Sequence, residues 1–171
     1  MAVSFAPETV KVFARSIADS LVILDSYRRR LAYAGFDKAA EAVASIFDMF
    51  ADLLSRDVIW FDDVYITVDE AIKKLRFVLK NVRSEIDSMY AEVERKVSRY
   101  LRRCMRTESE EVCMVRAEAR RAEMLREVRG YEVFYNELRS VVDAMITFLD
   151  LILRTIPSLA RYAPRKRQGV R

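Results

Sequence analysis

Arginine is concentrated in one stretch of the chain, and its spacing there points to a definite chemistry. A first set recurs every three or four residues, which places its members on one stripe of an α-helix. These are Arg95, Arg99, Arg102, Arg103 and Arg106. A second set follows at Arg116, Arg120 and Arg121. Because guanidinium is planar, always charged and able to bind phosphate bidentately, the pattern favours contacts to a nucleic-acid backbone without base readout.

Charge is divided unevenly along the chain. Residues 1–94 hold 12 Lys and Arg against 16 Asp and Glu, whereas residues 95–171 hold 18 against 10. The end of the chain adds Arg161, Arg165, Lys166, Arg167 and Arg171 to the predicted binding residues. Such a basic region indicates a polyanionic or acidic partner, which could be nucleic acid, an acidic protein or a membrane surface. The alternative is a solvated surface that serves solubility alone.

The residues needed for most catalytic and metal sites are missing. The chain has no histidine, which excludes Ser-His and Cys-His nucleophiles, H-E-x-x-H zinc sites and E-x-x-H di-iron ligands. It also lacks G-x-x-x-x-G-K-[ST] and G-x-G-x-x-G phosphate loops. Carboxylates remain, at Asp48 and Asp52 and at 62–63 and 69–70, but acids so spaced are usually solvated helix surface. We therefore predict no enzyme, no bound metal and no cofactor.

The two cysteines, Cys104 and Cys113, match no common zinc spacing. If the chain reverses near Thr107, they face each other across a helical corner, where Cα atoms can come within the ~4.4–6.8 Å that a disulfide needs. Cytosolic disulfides are unusual outside hyperthermophiles. The scarcity of Gln and Asn in this chain is a thermophile tendency. Two alternatives stay open, a disulfide or two buried thiols.

Apolar periodicity predicts α-helices along most of the chain. Pro7 suits the first turn of a helix, and Gly35 suits a left-handed end. Asp37 is the predicted cap of a second helix. The aromatic and β-branched segment 56–66 breaks the period, so it is expected to connect two helices, with Trp60 closing the end of the core.

A heptad pattern predicts a long third helix, preceded by a capping box at Thr67 and Glu70. We call its apolar positions the heptad seam. They are Val68, Ile72, Leu75, Leu79, Val82, Ile86, Met89 and Val93, and the pattern continues to Cys104. Steps that alternate between three and four residues place all of them on one face.

A second capping box, at Thr107 and Glu110, predicts a new helix after the arginine-rich one. Gly130 is the expected stop of that helix, and Pro157 that of a last helix starting at Tyr131. The predicted buried face of the first of these two helices is Val112, Val115, Ala119, Ala122 and Leu125.

Together these elements predict an all-α protein, an antiparallel bundle of four or five long helices with a protruding helical hairpin. Residues 1–160 form one predicted domain and residues 161–171 a flexible basic tail. No apolar run is long enough to span a membrane, and the start "MAVSFAPETV" lacks the features of a signal peptide. An intracellular location is therefore expected.

The arginine-rich segment "KVSRYLRRCMRTESEEVCMVRAEARR", the ending "APRKRQGVR" and the thermophile-like composition resemble the coat proteins of filamentous viruses of hyperthermophilic archaea. The resemblance is one of general character. It implies a small all-α structural protein that clamps double-stranded DNA inside a helical virion. It also implies self-association in many copies, with a paralogous helical subunit as a further partner.

Two other functions fit parts of the pattern. The first is a coiled-coil or helical-bundle interaction module that uses the heptad seam to dock a partner helix and binds no nucleic acid. The second is a nuclease whose carboxylates hold Mg²⁺. The first differs from the coat-protein reading in the salt dependence of DNA binding, and the second in Mg²⁺-dependent degradation of DNA.

Overall fold

The computed structural model describes residues 7–160, which fold into four α-helices. They are α1 (Pro7–Ala34), α2 (Asp37–Leu54), α3 (Phe61–Cys104) and α4 (Glu110–Ala160). The prediction of an all-α protein is confirmed. No helix among the described residues is both long and apolar enough to cross a bilayer. The predicted basic tail, residues 161–171, lies outside the described residues.

The chain divides into two compact units, and α3 and α4 each contribute to both. Of the described residues, the first unit contains 7–79 and 140–160. The second contains 80–139, and we call it the hairpin. The single domain expected over residues 1–160 stays a prediction.

In the first unit, α1 and α2 pack together across a tight corner at Gly35. Gly35 adopts a φ of 87°, which is the left-handed conformation predicted for the end of α1. Its amide N–H donates to the Ala32 carbonyl (3.1 Å), and that of Phe36 donates to the Leu31 carbonyl (2.9 Å). These two bonds satisfy the last carbonyls of α1 in a Schellman motif. The motif turns the chain directly into α2.

The predicted cap of α2 is wrong by one position. Phe36 occupies the N-cap without a side-chain hydrogen bond, and Asp37 is the first helical residue. An acid remains favourable there because it lies at the positive end of the helix dipole. Phe36 is fully buried and therefore anchors the start of α2 by packing.

The start of α3 also differs from the prediction. Thr67 and Glu70 lie inside the helix, which begins at Phe61, so they form no capping box. The Val64 amide already donates to the Trp60 carbonyl (3.1 Å), and Val64 is buried. The heptad seam therefore extends one turn upstream of its predicted start. Trp60 itself is only half-buried.

The hairpin consists of antiparallel segments of α3 and α4. Two ion pairs and the disulfide join the two helices at matching heights: Arg83 with Glu132, Glu94 with Arg121, and Cys104 with Cys113. The buried side chains between the helices include the hairpin part of the heptad seam. They are Val82, Ile86, Val93, Val97, Cys104, Cys113, Ala117, Val128, Phe134 and Leu138.

Ser109, and not Thr107, caps α4. The Ser109 hydroxyl accepts the Val112 amide N–H (3.4 Å), whereas the Thr107 hydroxyl donates back to the Cys104 carbonyl (3.4 Å). The predicted box at Thr107 and Glu110 is therefore wrong by two residues. The corner itself lies where the sequence places it.

The helix α4 is continuous where two helices were predicted. Gly130 lies inside it, and helical geometry passes Pro157 and continues to Ala160, so both predicted stops are wrong. The predicted face beyond the corner is also wrong, because Val115 is 72% exposed while Cys113 and Ala117 are buried. The disulfide explains this orientation, since Cys113 must face α3.

Candidate nucleic-acid interface

The end of α3 is a run of positive charge without acids. From Arg95 to Arg106, the last turns of α3 and the turn after it carry Lys96 and all five arginines of the first predicted set, and no Asp or Glu. Arg106 was predicted on the helical stripe but lies in the turn beyond Cys104, where α3 ends. Arg102, Arg103 and Arg106 are exposed, and within the described part of the chain no carboxylate pairs with them. These three guanidinium groups are therefore available to an anion from solution.

Arg95 and Arg99 are partly compensated. Glu92 forms an ion pair with both, at 3.1 Å from Arg95 and 3.2 Å from Arg99, and accepts a hydrogen bond from Arg99. One carboxylate cannot neutralise two guanidinium groups, so the pair keeps a net positive charge. Both arginines are more than half exposed. Surface ion pairs of this kind are weak enough for a phosphate to compete with them.

Two arginines of the second set, Arg116 and Arg121, are held by carboxylates. Arg116 lies 3.8 Å from Glu108. Arg121 bonds Glu94 across the hairpin (3.1 Å) and Glu118 on its own helix, and these carboxylates raise its pKa above the ordinary arginine value. Its side chain is 31% exposed. Arg121 therefore joins the two helices instead of facing a ligand.

Arg120, the remaining member of the second set, has a different environment. Its guanidinium carbon lies 4.0 Å from the centroid of the Tyr100 ring on the opposite helix. Such a cation–π contact orients the guanidinium and leaves its N–H groups free for other acceptors. Arg120 is exposed, and the described residues offer it no carboxylate.

Tyr100 and Arg120 form one wall of a shallow groove of about 280 Å³ between the two helices. Buried Val97 and half-buried Met124 contribute its apolar part. Its charged lining is entirely basic and consists of Lys96, Arg99, Arg103 and Arg120. The structure thus brings arginines from both predicted sets into one concave site.

The disulfide closes the hairpin beside this site. Cys104 and Cys113 are bonded, with their Cα atoms 5.7 Å apart and both side chains buried. Of the two alternatives that the sequence left open, the structure contains the disulfide. Arg103 immediately precedes Cys104, and Arg120 lies two turns beyond Cys113 on α4. The crosslink therefore fixes the helix ends that carry the groove.

A cluster of paired charges around Arg83 lies further along the hairpin. Arg83 bonds Asp87 (2.7 Å) and Glu132 (3.0 Å), and its guanidinium carbon lies 5.3 Å from the Tyr135 ring centroid. The Tyr90 hydroxyl donates to the same Glu132. The Tyr90 hydrogen bond, together with the Arg83 guanidinium, lowers the pKa of Glu132. All the charges of this cluster are paired.

Four of the six carboxylates considered as metal ligands occupy ion pairs in the first unit. Asp52 and Asp63 lie 2.9 and 3.3 Å from Arg56, and Asp69 and Glu70 lie 3.0 and 3.6 Å from Lys73. Among the described residues there is no group of three or more potential metal-ligating side chains.

Sequence reasoning missed two members of the site, Lys96 and Tyr100. Lys96 lies one helical turn before Tyr100, so helical spacing alone could have added it to the arginine stripe. The contact between Tyr100 and Arg120 joins residues 20 positions apart, and no periodicity encodes it. The predicted Arg161, Arg165, Lys166 and Arg167 lie outside the described residues.

The chain was compared with protein-family models, curated proteins and solved structures, and it matches none of them.

Proposed function

We propose that this protein is a structural nucleic-acid-binding protein that holds double-stranded DNA through its phosphate backbone. The observation that carries the proposal is the acid-free segment formed by the end of α3 and the turn after it, where Arg102, Arg103 and Arg106 are exposed and unpaired among the described residues. Exposed guanidinium groups that lack carboxylates exchange solvent counterions for phosphates. This exchange drives binding that is independent of sequence.

The proposal includes assembly in many copies along the DNA, as in the coat proteins that the sequence resembles, with a paralogous subunit as an additional partner. Exposed apolar residues of α1 support self-association. Val12, Val22, Ile23 and Tyr33 are each more than half exposed. Val12 and Ile23 are 11 residues apart, as are Val22 and Tyr33, so the members of each pair lie within about 20° of one another around the helix. The two pairs are separated by about 80–100° and are interspersed with charged residues such as Arg15 and Arg30, so they are single exposed apolar positions and not a continuous stripe.

The protrusion of the hairpin from an antiparallel bundle belongs to the same proposal. A two-helix element with basic residues near its closed end suits insertion along a nucleic-acid backbone. The location in a virion follows only from the coat-protein resemblance and is proposed with it.

The alternative of a partner helix docked on the heptad seam has less support. Within each unit the seam residues pack against other side chains of the same chain. Val68, Leu75, Val82 and Ile86 are fully buried. A partner helix would have to displace existing packing to reach them. An interaction module would therefore need another surface, such as the exposed apolar residues of α1.

Filter binding to random-sequence duplex DNA at low salt tests the binding step. We expect retention of the duplex, with an affinity independent of its sequence. An absence of binding at low salt would contradict the proposal. Degradation of the duplex on addition of Mg²⁺ would instead support a nuclease.

Electron microscopy tests the assembly step. Purified protein mixed with long linear duplex DNA should form filaments of uniform diameter that are absent without DNA. Single bound proteins with no regular spacing would contradict the coat function while leaving DNA binding intact. The charge-conserving variant Tyr33→Ser, which removes one exposed apolar side chain of α1, should bind DNA but form fewer or shorter filaments.

A further inference from the structure

We infer that the groove at Tyr100 is a discrete site for one phosphate group, with Tyr100 as the residue that positions Arg120 for it. The inference rests on the proposed function, because DNA is the macromolecule expected to supply the phosphate. The chemistry it requires is that of a phosphate oxyanion.

The lining of the groove favours an anion. Four cationic side chains converge on it from two helices, and no carboxylate lines it. Lys96, Arg99 and Arg103 come from successive turns of α3, whereas Arg120 approaches from α4. A solvated arginine face would spread these charges apart, because like charges close together repel each other. Their convergence suits an anion placed between them.

The size of the groove suits a phosphate group. Its volume of about 280 Å³ is several times the ~30 Å³ that one water molecule occupies in the liquid. A tetrahedral phosphate group with its hydration fits this space. Because the charged lining is entirely basic, the expected contact is to the phosphate backbone.

The contact with Tyr100 positions Arg120 before a ligand binds. Long arginine side chains lose considerable conformational entropy when they are fixed by a ligand. Stacking on the Tyr100 ring at 4.0 Å restricts Arg120 before any ligand arrives. A ring supplies no hydrogen-bond acceptor of carboxylate strength, so the guanidinium N–H groups can still donate to an anion. Half-buried Tyr100 is itself fixed between the helices and so acts as a positioning residue.

The comparison of Arg120→Gln with Arg126→Gln tests the site. Both residues are exposed arginines of α4, and both changes remove one positive charge, but Arg126 does not line the groove. Affinity for random duplex DNA is measured over a range of salt concentrations. Arg120→Gln should flatten the slope of log K against log[salt] by about 0.9 and lower the affinity about eightfold at 0.1 M salt. Arg126→Gln should change both by much less, and equal effects of the two variants would overturn the inference.

Tyr100 variants test the positioning role. Tyr100→Phe keeps the ring and should retain the wild-type affinity, whereas Tyr100→Leu should lose a part of it. In Tyr100→Leu/Arg120→Gln the two losses should not add, because both changes remove the same phosphate contact. Additive losses would overturn the positioning role. Circular dichroism of each variant shows that the helices are intact.

Inorganic phosphate separates the site from the proposed function. In wild-type protein, phosphate titrated at constant ionic strength should shift the Tyr100 ring resonances in NMR spectra to saturation, and Arg120→Gln should abolish the shift. If wild-type protein binds no DNA but phosphate still shifts Tyr100, the DNA proposal fails and the site remains as one for small phosphate ligands. If DNA binds while neither phosphate nor Arg120→Gln has an effect, the site fails and DNA binding remains.

Discussion

Two arginines of the hairpin each stack on a tyrosine of the opposite helix, yet their surroundings differ. Arg83 lies over Tyr135 and also bonds Asp87 and Glu132. Arg120 lies over Tyr100 and has no carboxylate partner among the described residues. The Arg83 pKa is raised by these two hydrogen bonds, which shows a charge already compensated within the fold.

Residue type and helix position therefore do not decide the role of an arginine in this hairpin. Carboxylates turn Arg83 and Arg121 into links between α3 and α4. Where carboxylates are missing, as around Arg103 and Arg120, the same side chain keeps its charge for a ligand. The closed end of the hairpin should therefore govern DNA binding, and the Arg83 cluster should govern stability.

The largest expected effect is on DNA affinity. The triple variant Arg102→Gln/Arg103→Gln/Arg106→Gln removes two cations that bind phosphates outside the groove and one groove cation, so the salt slope should flatten by at least ~1.8 and the affinity at 0.1 M salt should fall at least ~60-fold. Filter binding over a salt series measures both quantities.

The matched control for this triple variant lies in the first unit. Arg29→Gln/Arg76→Gln/Arg154→Gln removes the same net charge from exposed positions of α1, α3 and α4. It should lose much less affinity. If both triple variants weaken binding equally, net charge and not the hairpin determines the interaction.

Removal of the disulfide should have the next largest effect, this time on stability. Cys104 and Cys113 are nine positions apart, and opening so short a loop costs about 2–3 kcal/mol in the chain-entropy model. Cys104→Ser/Cys113→Ser should therefore unfold at lower urea than the oxidised wild type. Hydrogen exchange should accelerate in the first turns of α4 and remain slow near Glu132.

Reductant added to wild-type protein serves as the control for that variant. Reduced wild type and the double serine variant should unfold at nearly the same urea concentration. An unchanged midpoint in both would show that the crosslink does not stabilise the hairpin.

A change in the compensated cluster should affect stability more modestly. Arg83→Gln removes the link to Glu132 and the contact with Tyr135, at a cost of about 1 kcal/mol in the free energy of unfolding. Its salt slope for DNA binding should equal that of the wild type. A flattened slope would show that Arg83 contacts phosphate and would remove the distinction between the two arginines.

The smallest expected effect is a pH dependence. Tyr90 and Arg83 lower the folded-state pKa of Glu132 below its ordinary value of 4.5. The stabilisation is therefore fully present above the unfolded-state pKa and is lost as pH falls through the lowered folded-state pKa. Urea unfolding of the wild type between pH ~6 and ~3 should lose more stability than that of Glu132→Gln. Parallel pH profiles would contradict this assignment.

Much of the helical framework could be predicted, because local chemistry encodes it. Gly35 ends α1 since its left-handed conformation favours glycine. The heptad seam is buried as expected at most positions, including Val68, Ile72 and Val82, because its spacing leaves only one apolar face.

Helix boundaries were harder to predict where several residues offered the same local signal. Thr107 and Ser109 can both cap a helix, and only the direction of each hydroxyl in the structure separates them. Gly130 disfavours a helix by about 1 kcal/mol relative to Ala. That penalty is small beside the packing of Val128 and Phe134 on either side of it, so α4 continues.

The candidate site could be predicted only in outline. Helical spacing grouped the arginines of α3, but it could not show that Glu92 serves two of them or that Arg121 reaches Glu94. These pairs, like the stacking of Arg120 on Tyr100, depend on the register between the two helices. The disulfide fixes that register at the corner, and the sequence left its formation open.

The salt dependence of wild-type affinity for random duplex DNA shows directly whether the exposed cations of the hairpin bind phosphates. The exposed cations near the closed end of the hairpin include Lys96, Arg102, Arg103, Arg106 and Arg120. If Lys96, Arg103 and Arg120 together neutralise the one phosphate of the groove, and Arg102 and Arg106 neutralise one phosphate each, the slope of log K against log[salt] is about −2.7, and it is the same for duplexes of different sequence. A slope near zero, or no binding at low salt, would contradict the account.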